Sequence, residues 1–332
     1  MPSTRDIRRR IKSVKNTAQI TKAMQMVAAS KMRKAQSAAI AGRPYAALMN
    51  TVLAQVTANV GDFSHPLLEI REVKKRALII VSSDKGLAGA LNSNLLREAA
   101  KFDKNTTVYV TAGRKASQFV VRTKRQLAAE FTYKDAPLFS EARAISRFAQ
   151  ELFSKGEVDQ VDILFTNFIS TLNQKPEVLQ LLPIVEIKGV TAVVQGEAEH
   201  EPLTPSGTEY IFEPNVGAVF ASLIPHYLNF QVFHILMEAK ASEHSARMVA
   251  MKNATDNAKQ LIKDLTLEYN KLRQANITKE LLEITSAAMA MSSKFQVVDY
   301  RSVGSLEIFV VLSFSANHRG YFSHVRFSKI PF

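Results

Sequence analysis

The feature that most restricts the fold of this chain is the absence of glycine and proline from long segments near both ends. Neither residue occurs within 3–41 or within 226–301. Glycine and proline are the residues least compatible with a helix interior, and an ordinary globular helix has only ~11–12 residues. The sequence therefore predicts two unusually long helices. At ~1.5 Å per residue, residues 226–291 alone would extend for about 100 Å.

The N-terminal segment carries a seam of mostly apolar residues whose spacing alternates between four and three, as in a heptad repeat. Its members are Ile7, Ile11, Val14, Ala18, Thr21, Gln25, Ala28, Met32, Ala35 and Ala39. The same register continues beyond Gly42 and Pro44, so we expect a kink or local break there and a helix that resumes after it.

The C-terminal segment has a comparable seam, and small residues occur on both. It runs through Met251, Ala254, Ala258, Leu261, Leu265 and Leu272. Small seam residues allow two helices to approach closely, so the pattern predicts an antiparallel coiled coil. Two separate helices in a large bundle remain the alternative.

The middle of the chain has the pattern of an α/β domain. Residues 76–83 and 161–168 are apolar runs typical of buried strands, and 108–110 reads as a further strand. Helical patterns follow at 91–102 and 138–153. Strands that alternate with helices predict a mainly parallel sheet covered on both faces, in a Rossmann-like arrangement.

The organisation that we predict has four parts. An N-terminal coiled-coil helix occupies 1–60, an α/β domain 75–210 and a C-terminal coiled-coil helix 215–291, and an atypical tail follows at 292–332. No run approaches the ~18 apolar residues that a membrane-spanning helix requires.

The positive charge of the chain is concentrated at its start. The formal net charge is +13, and residues 1–36 contain ten Lys and Arg against the single acid Asp6. Such a charge implies an acidic partner, which could be nucleic acid, lipid or acidic protein. The first 44 residues contain no aromatic side chain, although many nucleic-acid binders interleave aromatic and basic residues. This favours a protein partner and leaves nucleic acid open.

A basic N-terminal segment can also be a targeting peptide. The seam extends too far along the chain for a removable peptide, so we interpret the N-terminal segment as mature protein.

Motifs for catalysis or cofactor binding are missing from the sequence. The loop DKGLAGALN follows the first predicted strand, but it matches neither of the glycine-rich phosphate-binding motifs. We interpret Gly86 and Gly89 as residues of a tight strand-to-helix turn rather than of a nucleotide site. The chain has no Cys, and its seven His do not have the spacing of metal ligands. We therefore predict no catalytic residue, no cofactor and no metal site.

Three segments nevertheless resemble one known family closely, in the expected order. Residues 7–36 (IRRRIKSVKNTAQITKAMQMVAASKMRKAQ), 82–95 (SSDKGLAGALNSNL) and 241–284 (from ASEHSARMVAMK to ELLEI) are similar to the gamma chain of the F-type ATP synthase. The resemblance covers roughly residues 1–291.

The resemblance implies a rotor. In that family the two end helices form an antiparallel coiled coil inside a hexamer of alpha and beta subunits, while the α/β domain contacts the epsilon subunit and the c-ring. The gamma chain has no catalytic site of its own. It couples rotation of the c-ring to conformational changes at the beta-subunit catalytic sites, as a peripheral component on the cytoplasmic face of the bacterial inner membrane. It reaches the membrane only through the c-ring, and nucleic acid is not a partner.

The resemblance also assigns roles to particular residues. By their match to the family motifs, the contacts to the beta subunit are Met24, Arg273, Gln274, Thr278 and Glu280, with Lys22 and Lys31 as possible neighbours. Tyr210 and Glu213, in EYIFEP, match positions that face the c-ring. Without the resemblance, each of these would be read as an ordinary solvated residue.

The end of the chain departs from the family pattern. Family members usually stop soon after the position of Met291, whereas 292–332 adds a strand-like run and a basic, aromatic terminus. An altered reading frame near the natural stop and a lineage-specific extension are both open explanations. Because every matching motif ends before this tail, we predict that it is dispensable for function.

Overall fold

The structure is a computed structural model that describes residues 3–42, six residues of 44–52, 65–184, 213 and 215–292. Contacts divide the chain into two units. One spans 11–263, and the other contains, among the described residues, 3–10 and 264–292. Each unit is described by itself. The tail predicted at 292–332 lies outside the described residues except for Ser292, which ends the last helix.

Two long helices are present, as the lack of glycine and proline predicts. Helix α1 spans Thr4–Ala41, and the last helix, α5, spans Val216–Ser292 with Pro225 near its start. The Ser3 hydroxyl accepts a hydrogen bond from the backbone N–H of Asp6 at 3.2 Å, and the Asn215 side chain accepts one from Ala218 N at 2.8 Å. These are N-cap interactions, which satisfy amides that the first turn leaves free. Gly42 lies in a turn, and the described residues of 44–52 are helical.

The burial pattern of α1 follows the predicted seam. Every described seam position is buried or half-buried, including Ile7 at 1% exposure and Ala28 at 2%. Ala39 lies outside the side chains that the structure describes. On α5 the seam differs from the prediction at one position, because Leu261 is 47% exposed and Ile262 is half-buried instead. The partly or fully buried positions from 251 onward are Met251, Ala254, Thr255, Ala258, Ile262, Leu265, Tyr269 and Leu272. Apart from Ala254, their spacing alternates between four and three.

Contacts within the unit 11–263 show that α1 and α5 run antiparallel. The hydroxyls of Thr21 and Thr255 are 2.7 Å apart. Fourteen residues further along α1, Ala35 shares a buried cluster with Ala241, which lies fourteen residues before Thr255 on α5. Further still, the ring of Tyr45 lies 5.0 Å from that of Phe230. Contacts therefore move backward along α5 as they move forward along α1, which confirms the predicted antiparallel coiled coil.

The α/β domain contains a five-stranded sheet. Its strands are β1 (Arg76–Val81), β2 (Thr107–Ala112), β3 (Leu127–Phe131), β4 (Gln160–Phe168) and β5 (Gln174–Leu182). Their order is β3-β2-β1-β4-β5, with β1 to β4 parallel and β5 antiparallel at one edge. The connecting helices are α2 (Leu91–Ala100), α3 (Arg114–Arg122) and α4 (Phe139–Ser154), and a short 3-10 helix, Pro66–Leu68, precedes β1.

Alternating side chains of the strands build a core on each face. Leu78 and Ile80 of β1 pack in a cluster with residues of α2 and α3, such as Leu95 and Val120. Ile79 and its neighbours Ala77 and Val81 pack on the opposite face, in a larger cluster with residues of α4 and α5. The mainly parallel, doubly covered sheet that the sequence predicts is confirmed.

Two glycines at the carboxyl ends of the strands have backbone conformations that other residues rarely adopt. Gly113 has φ +107°, and a Cβ added there would lie 2.2 Å from the carbonyl oxygen of Ser82. Gly89, in the loop after β1, has φ +58°. The tight turn predicted there uses Gly89 together with Leu87, whose φ is +63°, rather than Gly86. Leu87 is also 63% exposed.

Helix α5 also meets the length and composition criterion for a membrane span. It contains an 18-residue window with mean hydropathy of 1.2, of which 39% is buried. The core helix of a protein that spans no membrane meets the same criterion, so one such helix is weak evidence for a span.

Candidate partner-binding surfaces

The residues that the resemblance assigns to the beta subunit lie on the exposed part of α5, in the unit that contains 264–292. Arg273, Gln274, Thr278 and Glu280 are all exposed. Seven residues separate Arg273 from Glu280, so the two share one stripe of the helix, and Gln274 and Thr278 form a neighbouring stripe. The Thr278 hydroxyl donates to the backbone carbonyl of Gln274 at 2.9 Å. The four side chains thus form a polar, solvent-accessible surface over two helical turns.

An apolar stripe that the sequence analysis missed lies on the same segment. Ile277, Leu281, Ile284 and Met291 are 46%, 57%, 65% and 70% exposed. Their spacing keeps them on one face of the helix, together with Ala288. Exposed apolar side chains in a continuous row indicate a surface that a partner covers. The signal was available, because it is the same heptad-like periodicity, but the predicted seam stopped at Leu272.

The position of Met24 on α1 gives it apolar neighbours on the outer face of the helix. Met24 is half-buried, while Ile20 and Val27, one turn before and after it, are 60% and 55% exposed. Lys31 continues this stripe and forms an ion pair with Asp135 of the same chain. Lys22 is exposed. The structure therefore places Met24 within an accessible apolar stripe.

The residues predicted to face the c-ring are only partly described. Glu213 is exposed and comes just before α5. Tyr210 lies outside the described residues.

The loop after β1, residues 84–89, borders a cavity of about 270 Å³, which is also lined by the start of α2, the β4–β5 hairpin and α5. Its polar lining consists of hydroxyl and amide side chains, without Lys or Arg: Asn94, Thr166, Asn173, Gln174 and Asn253. Within the described part of the chain, no group of His, Asp and Glu could hold a metal ion.

A buried carboxylate lies nearby on α5. Glu238 Oε1 accepts a hydrogen bond from the backbone N–H of Phe168 at 3.2 Å, and His234 lies 4.0 Å from the other oxygen. Burial raises the pKa of Glu238 to about 7 despite that hydrogen bond, which lowers it. Burial also lowers the pKa of His234. Near pH 7 Glu238 is therefore partly protonated and His234 is mostly neutral, because burial disfavours the charged form of each group.

Comparison with known sequences gives a consistent match. The family profile described as ATP synthase matches residues 3–291. The chain is 50% identical to the ATP synthase gamma chain of Opitutus terrae over 295 residues, which cover 88% of this chain and 100% of that protein. It is 47% identical to the ATP synthase gamma chain of Roseiflexus castenholzii over 301 residues, with coverage of 88% and 99%.

Solved structures with the same fold come from mitochondrial ATP synthases. A chain of the central stalk and c-ring structure from Tetrahymena thermophila is 26% identical, with a TM-score of 0.52 and coverage of 71% of this chain and 99% of that one. A chain of the Euglena gracilis enzyme, in a structure of its OSCP, F1 and c-ring parts, has a TM-score of 0.62 at 19% identity and coverage of 90% and 98%. At 19% identity, the similarity to the Euglena gracilis chain shows a shared fold and nothing more.

Proposed function

The chain belongs to the ATP synthase gamma-chain family, and we infer from this that it is the central rotor shaft of the proton-translocating ATP synthase. It couples rotation of the c-ring to conformational changes at the beta-subunit catalytic sites. The observation that carries this conclusion is the family match over residues 3–291, together with 50% identity across the whole of a curated gamma chain. None of the comparisons supports the alternative of a basic coiled-coil protein that binds nucleic acid.

The architecture suits this role physically. A shaft changes the nucleotide affinity of a catalytic subunit only if it makes different contacts with the different conformations of that subunit. The antiparallel pair of α1 and α5 supplies an extended surface with different side chains on its different faces. Its partners are the alpha and beta subunits of the hexamer and the c-ring. The basic residues of α1 complement acidic segments of such partners, and contact with the epsilon subunit is part of the same proposal.

We propose that Arg273, Gln274, Thr278 and Glu280 contact the beta subunit as a set. Their exposure and their grouping on two adjacent stripes support the proposal. Met24 belongs to the same class of contact, because exposed apolar residues flank it on α1. Glu213 and Tyr210 are proposed to face the c-ring, on the strength of the resemblance alone.

The finer statements about location and chemistry are proposals too. The chain is a subunit of the membrane-associated ATP synthase complex, and we place it on the cytoplasmic face of a bacterial inner membrane because the two gamma chains that are 47% and 50% identical to it come from bacteria. We also propose that it supplies no catalytic residue. The sequence supports this, since it contains no nucleotide-binding glycine motif and no Cys.

Co-expression with cognate alpha, beta, epsilon and c subunits tests the proposed function. The chain should co-purify with the hexamer and support ATP hydrolysis and ATP-driven proton pumping. The double variant R273A/E280A should lower the rate of hydrolysis, whereas K279A should not, because Lys279 is an exposed cation that lies ~100° or more around α5 from each of the four proposed contacts. Failure of the unaltered chain to bind the hexamer, combined with salt-sensitive binding of DNA or RNA, would overturn the assignment.

A further inference from the structure

A group of charged side chains, of which Lys240 and Glu243 are buried, joins α5 to the carboxyl edge of the sheet, within the unit 11–263. Its centre is Lys240, which is 2% exposed. The Lys240 ammonium lies 3.0 Å from Glu243 Oε2 and 3.9 Å from Asp135 Oδ1, and 4.4 Å from the centre of the Tyr133 ring. A buried ammonium is costly unless such groups surround it, so these contacts fix where the side chain can lie.

Glu243 extends the group to the loop after β1. Its second oxygen, Oε1, accepts a hydrogen bond from Arg247 Nη2 at 2.7 Å. The same nitrogen lies 3.3 Å from the carbonyl oxygen of Lys85 and 3.4 Å from that of Gly86. Burial alone would raise the pKa of Glu243, but the charges of Lys240 and Arg247 hold it below its ordinary value. Glu243 is therefore ionised and shared between two cations.

Tyr133 and Asp135 extend the group to α1 and to the end of β1. Both residues lie in the loop after β3. The Tyr133 hydroxyl donates to the carbonyl oxygen of Ser82 at 3.1 Å. Asp135 forms an ion pair with Lys31 of α1 at the rim of the group, where the two side chains are 53% and 42% exposed. The hydrogen bond from Lys31, above all, lowers the pKa of Asp135. Four segments thus meet in one network: α1, the loop after β1, the loop after β3 and α5.

Such a network is a poor way to gain stability and a good way to fix geometry. Buried ion pairs roughly cancel their own desolvation cost, so apolar residues of similar volume would hold the segments together equally well. Charged hydrogen bonds are directional, however, and removal of one partner is penalised. An apolar contact allows two elements to slide past each other, whereas this arrangement specifies the orientation of both helices relative to the sheet.

We propose that the network of Lys31, Asp135, Lys240, Glu243 and Arg247 is the torque joint of this chain, the point at which rotation of the sheet is passed to both shaft helices together. The inference rests on the proposed function, because only a rotor needs such a joint. These are positioning residues. They contact no nucleotide, and they act by keeping the helices and the α/β domain in a fixed relative orientation.

The test measures torsional stiffness in the assembled complex with alpha and beta subunits that lack Cys. Because this chain has no Cys, one thiol at the exposed Lys104 (K104C) attaches a bead to the α/β domain. The hexamer is fixed to a surface and stalled with a non-hydrolysable ATP analogue, and the angular variance of the bead is recorded. K240M should increase this variance about twofold or more, since it cuts a link in the chain of contacts that carries the coupling. The hydrolysis rate of the freely rotating complex should change much less.

The matched control is K259M, because Lys259 is an exposed cation on the same helix whose contact is with Asp256. In K240M, Glu243 keeps Arg247 as its partner, so no carboxylate is left without a cation. R247Q is the second variant and serves if K240M does not fold: it removes the contacts of Arg247 with the loop after β1 and with Glu243, which keeps Lys240 as its partner. Equal variance in K240M, R247Q and K259M would refute the joint and leave the rotor assignment intact. Failure of every form to assemble, including the unaltered chain, would instead refute the rotor assignment.

Discussion

The hydroxyl oxygens of Thr21 and Thr255 lie 2.7 Å apart in the buried seam between α1 and α5, 234 residues apart in the sequence. Each hydroxyl also lies within hydrogen-bond distance of a carbonyl of its own helix, Ala18 O at 3.1 Å and Met251 O at 2.8 Å. One hydroxyl therefore donates to its own helix while the other donates across the seam. A polar pair in an otherwise apolar seam fixes the register of two helices at some cost in stability.

We expect the two threonines to be energetically coupled. T21V or T255V alone removes the hydrogen bond across the seam and should lower the free energy of unfolding by ~1 kcal/mol. The double variant should lose less than the sum of the two, because each single variant already removes the same hydrogen bond. Denaturant unfolding of the three variants measures the coupling, and strict additivity would show that the hydrogen bond is not formed.

Substitution of Gly113 should be severe. In G113A the new Cβ would lie 2.2 Å from Ser82 O, and the backbone would keep φ +107°. Strain of this kind belongs to the class that exceeds ~3 kcal/mol. The control is G86A, because nothing lies within 4 Å of an added Cβ there, and it should change the free energy of unfolding by less than ~0.5 kcal/mol. Thermal unfolding followed by circular dichroism compares the two, and similar melting temperatures would contradict the expectation.

Buried Glu238 should make stability depend on pH. Its pKa is raised from 4.5 to about 7, so between these values the folded chain holds a proton that the unfolded chain has released. The free energy of unfolding contributed by this group therefore falls as the pH rises across that interval, by up to ~3 kcal/mol in total. His244 has the opposite effect on the free energy of unfolding. Burial lowers the pKa of His244 from 6.5 to about 4, so as the pH falls between these values the unfolded chain binds a proton before the folded chain does, and stability decreases.

Comparison of E238Q with the unaltered chain isolates the contribution of Glu238. The glutamine is neutral at every pH and keeps an oxygen that can accept from Phe168 N. E238Q should gain stability relative to the parent as the pH rises from 4.5 to above 7, and E268Q, an exposed control on the same helix, should not. A pH-independent difference between E238Q and the parent in urea titrations would show that Glu238 is not protonated in the folded chain.

The small residues of the seam should resist enlargement. Ala28 is 2% exposed, so A28L must push the helices apart and should cost ~1–3 kcal/mol. Ala23, on the same helix, is exposed, and leucine has nearly the helix propensity of alanine. A23L should therefore be close to neutral. Equal unfolding midpoints for the two variants would mean that the seam at Ala28 has room for a larger side chain.

The tail should be dispensable. The family match ends at residue 291, so a chain that stops after Met291 should assemble with the alpha and beta subunits and hydrolyse ATP as fast as the full-length chain. Loss of coupled ATP synthesis on truncation, without loss of thermal stability, would show that 292–332 has a role. Higher activity of the truncated form would identify the tail as inhibitory.

Periodicity predicted the elements well and the details of the α5 seam less well. The burial of α1 follows its seam because a long helix without glycine or proline has little freedom in which residues it buries. On α5 the choice of Leu261 over Ile262 was wrong, since the predicted spacing passed through Ala254 and Leu261, whereas the buried spacing passes through Thr255 and Ile262. A threonine counts as polar in a sequence pattern, although its hydroxyl can be satisfied by the helix backbone.

The contacts across the fold could not have been predicted from local patterns. Lys240 and Glu243 read as ordinary solvated charges of a helix, and only the topology reveals that they are buried beside the loops after β1 and β3. Likewise, nothing in the sequence says that Gly113 lies against Ser82. The site residues on α5 were reached through the resemblance, because exposed polar residues on a helix carry no signal of their own.

The antiparallel pairing also has a consequence for biosynthesis. Thr21 is made first, and its partner Thr255 follows 234 residues later. At ~5–20 residues per second, α1 therefore leaves the ribosome roughly 10–50 s before the segment that covers its seam has been synthesised. The α/β domain, whose strands lie between them, can fold in that interval, whereas α1 must wait with its apolar face uncovered. The high density of positive charge on this helix is well suited to keeping the nascent chain in solution during that delay.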